Sequence, residues 1–387
     1  TNLAKKMKKN SATIKRQIIP QAIEAWQKGK IVIVYGPRQS GKTTLLDLIE
    51  HDWDEPVLRV NGDLLAEQSI YSSQNLVTLK NAIGTYRYVM FDEAQRIPNI
   101  GINLKILYDS IPDLHIIATG SSSFDLANQV KEPLTGRTRT FMLYPISFQE
   151  ISAQSTLAQR QESLPAWLRY GWYPEVLLAS SDREKELVLT EIVEGQLFKD
   201  ILQLENVRNP RILRELLILL AFQIGSEVSL GELATQAGVS IHTIKRYLDL
   251  FEKAFLIFRL GGFSRNLRKE VTKSAKYYFL DLGLRNAIIN RFHQLPLRDD
   301  IGALWENFLV IERLKNQKNN QFTSHNYFWR TYDGQEIDWI EDRQGKLFAY
   351  EFKWNKKKTK IPPAFATAYP QSDYLFVNQE NYWDWLG

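Results

Sequence analysis

The 387-residue chain is 44% hydrophobic and 24% charged, carries a net charge of +5 and has no cysteine. That balance belongs to a folded globular protein and excludes disulfides, thiolate nucleophiles and cysteine-based zinc sites. No apolar run reaches the roughly 18 residues of a bilayer span, so no membrane association and a cytoplasmic location are expected. The length exceeds one ordinary core and allows two or three domains. The N-terminus "TNLAKKMKKN" is basic with no apolar stretch behind it, and no secretory signal is expected. Lysines cluster at Lys5–Lys9 and Lys356–Lys360. Such runs serve as solvated surface or as contacts to nucleic acid.

The first element with chemical content is "IVIVYGPRQSGKTTLL". Ile31 to Tyr35 reads as a buried parallel strand. It runs into Gly36-x-x-x-x-Gly41-Lys42-Thr43, the phosphate loop, at the start of a helix. The glycines let backbone N–H groups curl around phosphate oxygens, and the helix points its positive end at them. Gly36, Pro37, Arg38, Gln39, Ser40, Gly41, Lys42, Thr43 and Thr44 are therefore the expected nucleotide-binding residues, with ATP and Mg²⁺ as ligands. Lys42 is expected to reach the β- and γ-phosphates and the Thr43 hydroxyl to ligate Mg²⁺. Next, "YRYVMFDEAQRI" reads as a buried strand that delivers Asp92 and Glu93 at its C-terminal edge, where ligands of open α/β sheets gather. Asp92 is expected to hold Mg²⁺ through water and Glu93 to polarise the attacking water. A third strand, "LHIIATGSSS", ends in Thr119 and Ser121, either sensors of the γ-phosphate or ordinary turn residues.

These elements together resemble the AAA+ ATPases, in particular the bacterial and archaeal branch in which the ATPase is followed by a C-terminal domain of unknown function. The segments "GPRQSGKTTLL", "FDEAQRI", "ATGSSSFDL" and "LTGRTRTFMLYPISFQE" carry the likeness. The resemblance implies a homo-oligomer, a ring or partial ring, the hexameric ring included, with an arginine of one subunit reaching ATP on the next. Arg137 is the first candidate for that catalytic arginine and Arg139 the second; each reads equally well as a surface or salt-bridge arginine. "RYGWYPEV" is similar to the family's Gly-rich segment after the sheet, with Trp172 standing where glycine is expected.

Residues 151–225 read as a helical, lid-like segment. Residues 226–285 read as a winged helix: Ser229 caps a short helix, Gly238 makes the turn, and Ser240 caps a second helix with Ile244, Leu248 and Phe251 on one face. The wing strands would be "FLIFRL" and "KYYFLDL". In a DNA-reading version His242, Thr243, Lys245 and Arg246 would face the major groove. A packing or protein-contact role fits the same pattern.

From residue 286 to the end, the amphipathic helix "IGALWENFLVIERLKNQ" precedes strands at "HNYFWRT", "QEIDWIED" and "KLFAYEFKW", then a helix and "DYLFVN". Leu304, Phe308 and Ile311 make that helix's inner face. Strict alternation puts Phe348, Tyr350, Phe352 and Trp354 on one face and Glu351 with Lys353 on the other, expected to be the exposed side. The order αβββαβ, with Asp338 and then Glu351-x-Lys353, resembles the PD-(D/E)xK nucleases. The resemblance implies Asp338 and Glu351 as Mg²⁺ or Mn²⁺ ligands, Lys353 as the catalytic residue that orients or activates water, and Glu306 on the helix as a further ligand. Glu336 is an alternate ligand or a solvated partner. Phosphodiester cleavage needs a nucleophile at neutral pH and neutralised charge, which a hard divalent cation held by carboxylates supplies. An E-x-K pair is also an ordinary surface ion pair.

The expected fold is thus α/β: a P-loop AAA+ ATPase core (12–150), a helical lid-like segment (151–225), a winged helix (226–285) and a nuclease-like domain (286–387). The leading functional expectation is a Mg²⁺-dependent ATPase acting on nucleic acid, DNA first, whose C-terminal domain grips or cleaves it, branched DNA included. The alternatives are a DNA motor with an inactive nuclease fold, and a signalling or defence ATPase with a protein partner.

Overall fold

The computed structural model describes residues 14–121, 133–153, 155–197, 201, 209–263, 275–331, 333–355 and 360–387. The lysines at 5–9 and 356–358 lie outside the described residues, as do residues 122–126 of "ATGSSSFDL". The chain divides into two compact units, Thr1–Ile146 and Ser147–Gly387. No described helix is long and apolar enough to cross a membrane.

The first unit is built on α1 (Ile19–Gln27), β1 (Ile31–Tyr35), α2 (Lys42–His51), β2 (Val57–Asn61), α3 (Leu65–Tyr71), α4 (Leu76–Ile83), β3 (Tyr88–Asp92), α5 (Ile100–Ser110), β4 (His115–Gly120) and β5 (Thr138–Met142). The strands lie in the order β2-β3-β4-β1-β5, and every pairing is parallel. Strands covered on both faces read as continuous apolar runs, which is why "IVIVY" forms β1. Its side chains alternate between two cores. Ile31 and Ile33 pack with Val89, Phe91, Leu104 and Leu107 on one face. Val32 and Val34 pack with Trp26, Leu45, Leu46 and Ile49 on the other. Each such side chain contributes about 1.5–3 kcal/mol by burial. The strand order brings the C-terminal ends of β1, β3 and β4 side by side.

The second unit begins with α6 (Phe148–Ser152), α7 (Leu157–Tyr170), α8 (Pro174–Leu178), α9 (Asp182–Glu191) and α10 (Pro210–Phe222). Next come β6 (Glu227–Val228), α11 (Leu230–Ala237), α12 (Ile241–Lys253), β7 (Ile257–Gly262), β8 (Ala275–Phe279) and α13 (Leu282–Ile288). The chain ends with α14 (Ile301–Asn319), β9 (His325–Arg330), β10 (Glu336–Arg343), β11 (Lys346–Phe352), α15 (Pro363–Ala368), β12 (Asp373–Val377) and α16 (Tyr382–Leu386). Ser229 and Ser240 cap α11 and α12 through the N–H groups of Glu232 and Thr243, and Gly238 turns between them at φ +64°. One seven-stranded sheet, β12-β11-β10-β9-β7-β8-β6, runs through the whole unit. The parallel pairing of β7 with β9 carries it across residue 285, where the sequence reading draws a domain boundary. Periodicity marks strands but not their partners, and this pairing joins residues more than sixty positions apart.

Helix α14 differs from its amphipathic expectation. Leu304, Phe308 and Ile311 are buried, but so are Trp305, Asn307, Leu309, Val310, Glu312, Leu314 and Lys315. A helix enclosed on all sides shows little one-sided pattern, and its polar residues are then paired inside. The Asn307 amide donates to the Phe279 carbonyl and accepts from the Phe279 N–H, both at 2.8 Å, knitting α14 to β8.

Candidate functional site

The phosphate loop follows β1 and enters α2 through Gly41, whose φ of +95° only glycine adopts cheaply. A Cβ on Gly36 would lie 2.0 Å from the Leu143 carbonyl oxygen, so the close approach of β1 and the segment after β5 requires glycine there. Gln39 also sits at positive φ, +57°. Lys42 is 5% exposed, and its ammonium donates to the Gly36 and Pro37 carbonyls at 3.1 and 2.9 Å, bridging its own loop. The Ser40 hydroxyl is buried without a hydrogen-bond partner. The Arg16 guanidinium, which sequence reasoning missed, is buried and donates to the Ser40 carbonyl (2.7 Å) and the Tyr144 carbonyl (2.5 Å). No local motif marks that arginine; only the folded chain brings it to the loop.

Beside this loop the strand ends converge. Asp92 Oδ2 accepts from the Thr43 hydroxyl at 2.8 Å, and its Oδ1 accepts from the Thr119 hydroxyl at 2.6 Å. Glu93 follows in left-handed backbone, φ +49°. Its carboxylate accepts from the Gln95 amide at 2.6 Å, and the same amide donates to Ser121 Oγ at 2.9 Å. Sequence reasoning missed Gln95 as well. Thr43, Asp92, Glu93, Thr119 and Ser121 are thus one hydrogen-bonded group at the sheet's C-terminal edge. Arg137 lies elsewhere. Its carbonyl pairs with the Ile31 N–H at the opposite end of β1, and its guanidinium holds Asp109 bidentately at 2.9 and 3.1 Å. Five strand residues, about 17 Å, separate it from the phosphate loop of the same chain, too far to act on that site. Arg139 continues β5 from the same end.

The second cluster lies in the C-terminal sheet. Asp338 sits on β10 where the register against β9 shifts between Ile337 and Ile340. A bulge of that kind re-aims a side chain. The Asp338 Oδ2 accepts from the Phe352 N–H at 2.7 Å and lies 3.5 Å from Lys353 Nζ, which meets Glu351 Oε1 at 2.6 Å. On α14, Glu306 Oε1 accepts from Lys276 Nζ at 3.0 Å and from the Tyr278 hydroxyl at 2.7 Å. Lys276 also pairs with Glu336. The four sequence-derived residues Glu306, Asp338, Glu351 and Lys353 therefore meet, joined by Lys276 and Tyr278 of β8, which no motif marks.

The cluster's carboxylates Asp338 and Glu351 are buried rather than exposed, while Lys353 and Glu336 stay part-exposed. Glu351 is 9% and Asp338 3% accessible, because the face Glu351 shares with Leu347 and Ala349 is covered by Phe365 of α15. Aromatics do fill the other face: Tyr350 and Phe352 pack on Trp385. Burial first, with Asp338 adding to it and Lys276 opposing, pushes the Glu306 carboxyl up to about 7. Burial and Asp338 push Glu351 up to about 7 against the pull of Lys353. For both ammonium groups burial works downward, but the surrounding carboxylates outweigh it and hold them above the ordinary lysine range. Glu351 Oε2 is buried with no hydrogen-bond partner. Among the described residues no three acidic or histidine side chains are gathered as a metal-binding set. Ammonium groups stand between these carboxylates.

Elsewhere, His242, Lys245 and Arg246 are exposed on α12, Thr243 is half-buried, and Ile244, Tyr247, Leu248 and Phe251 are buried beneath them. Trp172 is a core residue. Its ring stacks on Phe308 at 6.2 Å, and its backbone N–H donates to Asp281 Oδ2 at 2.7 Å.

Residues 28–152 match the model of an AAA domain. Residues 161–295 and 301–382 match two domains of unknown function, DUF8612 and DUF4143. An uncharacterized protein of Mycobacterium tuberculosis is 28% identical over 85% of this chain and 71% of its own length. One of Methanocaldococcus jannaschii is 24% identical over 93% of this chain and 81% of its own. Among solved structures, a Walker-type ATPase of Pyrococcus abyssi is similar at 15% identity, covering 72% of this chain and 97% of that one, with a TM-score of 0.49. The N-terminal unit carries an AAA-type P-loop ATPase domain, and the chain is an ATP hydrolase.

Proposed function

We propose that this ATPase is Mg²⁺-dependent and acts on nucleic acid, DNA first, through a C-terminal unit that combines a winged helix with a PD-(D/E)xK-like domain. The observation that carries this reading is the convergence of Glu306, Asp338, Glu351 and Lys353 from α14, β10 and β11 on one buried cluster. In the first unit Lys42 binds the phosphates, and Thr43 with Asp92 are the residues that would hold Mg²⁺. The ion supplies neutralisation of phosphate charge when bound. Glu93, fixed by Gln95, orients and deprotonates the attacking water. The exposed His242, Lys245 and Arg246 on α12 are the contacts to nucleic acid in this reading. It includes a cytoplasmic homo-oligomer, up to a hexameric ring, in which Arg137 leaves Asp109 to serve a neighbour's ATP.

A cleavage assay tests it. Purified protein meets linear, single-stranded and four-way-junction DNA with Mg²⁺ or Mn²⁺, with and without ATP, beside Asp338→Ala. Cleavage lost in the variant supports the reading. The two lysines already seated among the carboxylates favour a second reading, a motor whose C-terminal unit grips without cutting. Tight, salt-sensitive binding without cleavage would select it. Neither binding nor cleavage would leave a switch with a protein partner.

A further inference from the structure

We infer that Arg16 is a positioning residue for ATP hydrolysis, which braces the phosphate loop from behind and fixes the direction of the Gly41 N–H. Arg16 lies in the turn before α1, where its carbonyl accepts from the Ile19 N–H at 3.2 Å. Ile18 beside it is 2% exposed, in the core that holds Val34 of β1 and Leu45 and Leu46 of α2. The backbone that carries the arginine is therefore anchored to the strand and the helix on either side of the loop.

The guanidinium spans the two ends of the loop. Its Nη1 donates to the Ser40 carbonyl at 2.7 Å, near the loop's end. Its Nη2 donates to the Tyr144 carbonyl at 2.5 Å. Tyr144 follows Leu143, whose N–H donates to the Tyr35 carbonyl at 2.8 Å and whose own carbonyl abuts Gly36. The Tyr144 carbonyl is thus fixed relative to the loop's first residue. A planar, always charged fork of donors suits such a span.

The Ser40–Gly41 peptide needs this restraint. It lies between two residues in left-handed backbone, Gln39 at φ +57° and Gly41 at φ +95°. Rotating that peptide changes only the Ser40 ψ and the Gly41 φ, and glycine accepts either sign of φ. The loop alone therefore has little to choose between the two orientations. In a planar trans peptide the C=O and N–H point opposite ways. Holding the Ser40 carbonyl toward Arg16 aims the Gly41 N–H away from it, to the inside of the loop, where backbone donors meet phosphate oxygens. The flipped peptide would present a carbonyl oxygen to an anion. Lys42 does not do this work, because its ammonium is engaged with the Gly36 and Pro37 carbonyls at the loop's other end.

A loop N–H touches bound phosphate before and during phosphoryl transfer, so misdirecting it weakens binding more than it slows the chemical step. The test uses the full chain with Arg16→Met. Steady-state hydrolysis gives KM and kcat, a fluorescent ATP analogue gives the dissociation constant, and thermal melting reports the fold. The expected result is KM and the dissociation constant raised roughly tenfold or more, as for one hydrogen bond to a charged group. The kcat should stay within about twofold. A residue that only stabilised the fold would act the other way, lowering kcat through fewer folded molecules at constant KM. Arg16→Lys, in which one ammonium replaces two separate nitrogens, should recover part of the lost affinity. A folded Arg16→Met with unchanged affinity would overturn the inference, and so would a loss of kcat at constant KM. Should that variant not fold, Arg16→Lys decides: a raised KM at steady kcat supports the inference, and an unaltered KM overturns it.

Discussion

Gly62→Ala isolates the role of Glu93 from nucleotide binding. Gly62 extends β2, and its N–H donates to the Asp92 carbonyl at 2.8 Å. A Cβ there would stand 2.3 Å from the Glu93 carbonyl oxygen and 2.9 Å from its carbon. Both neighbours are backbone, so relief needs a shift of about 1 Å to restore a contact of about 3.5 Å. That shift falls on Glu93, already held at φ +49° and tied through its carbonyl to the Arg96 N–H. A misplacement of about 1 Å costs roughly 100-fold in rate where geometry is part of the chemistry. Overpacking adds about 1–3 kcal/mol of instability. Steady-state ATP hydrolysis is therefore expected to lose about 100-fold in kcat. The phosphate loop lies on β1, two strands from β3, so affinity for a fluorescent ATP analogue should change little. Gly84→Ala is the control: Gly84 has φ +60° and open space around it, so alanine there costs stability alone. Unchanged kcat in Gly62→Ala, or an equal loss in the control, would refute the assignment of Glu93.

The other expectations are briefer. Lys42→Ala should cut ATP turnover by at least about 100-fold with unchanged circular dichroism, since one preorganised donor is worth that much; normal turnover would remove the phosphate-loop assignment. Asp338→Ala should abolish any DNA cleavage and leave ATP hydrolysis within twofold. Cleavage that survives would come from another site. Burial, opposed by Arg259 and aided by Asp249, raises the Glu252 carboxyl to about 7. A raised folded pKa favours folding when protonated, so this stability is complete below about pH 4 and lost as pH rises through about 7. Thermal melts should show Glu252→Gln removing on the order of 2–3 kcal/mol of that pH dependence. Parallel melting profiles of the two proteins from pH 5 to 8 would contradict it.

The phosphate loop was legible because its chemistry is local. Gly36 to Thr43 is one turn of chain between a strand and a helix, and each requirement is met by a neighbour in sequence. Asp92 and Glu93 were legible for the same reason, at the end of a buried run. Arg16 and Gln95 were not. Arg16 acts on carbonyls 24 and 128 residues away, and Gln95 matters only because the turn after β3 brings its amide back to Glu93 and across to Ser121. In the C-terminal unit alternation gave the faces of β11 correctly but not which face meets water, since α15 arrives later in the chain to cover Glu351. Lys276 was invisible for a further reason. In "KYYFLDL" nothing local singles it out, and only the folding of β8 against α14, which sequence periodicity cannot encode, carries it to Glu306.

The energetic character of that cluster separates function from stability. Desolvating two lysines and several carboxylates costs several kcal/mol per ion, and apolar residues of similar volume are often as stable or more so. The unit does not depend on the cluster for its core, because Trp305, Phe308, Trp339, Ile340 and Leu309 are buried around it. Glu341 shows what a structural carboxylate looks like here. It is fully buried, yet Arg313, Arg343, Trp339 and Gln317 all donate to it, and these donors hold it below the ordinary carboxylate range although burial works the other way. Glu306 and Glu351 are buried in the same sheet region but pushed the opposite way, and Glu351 keeps an oxygen with no donor. A carboxylate satisfied on every side stabilises a fold. One left short of partners beside two lysines adds no such stability.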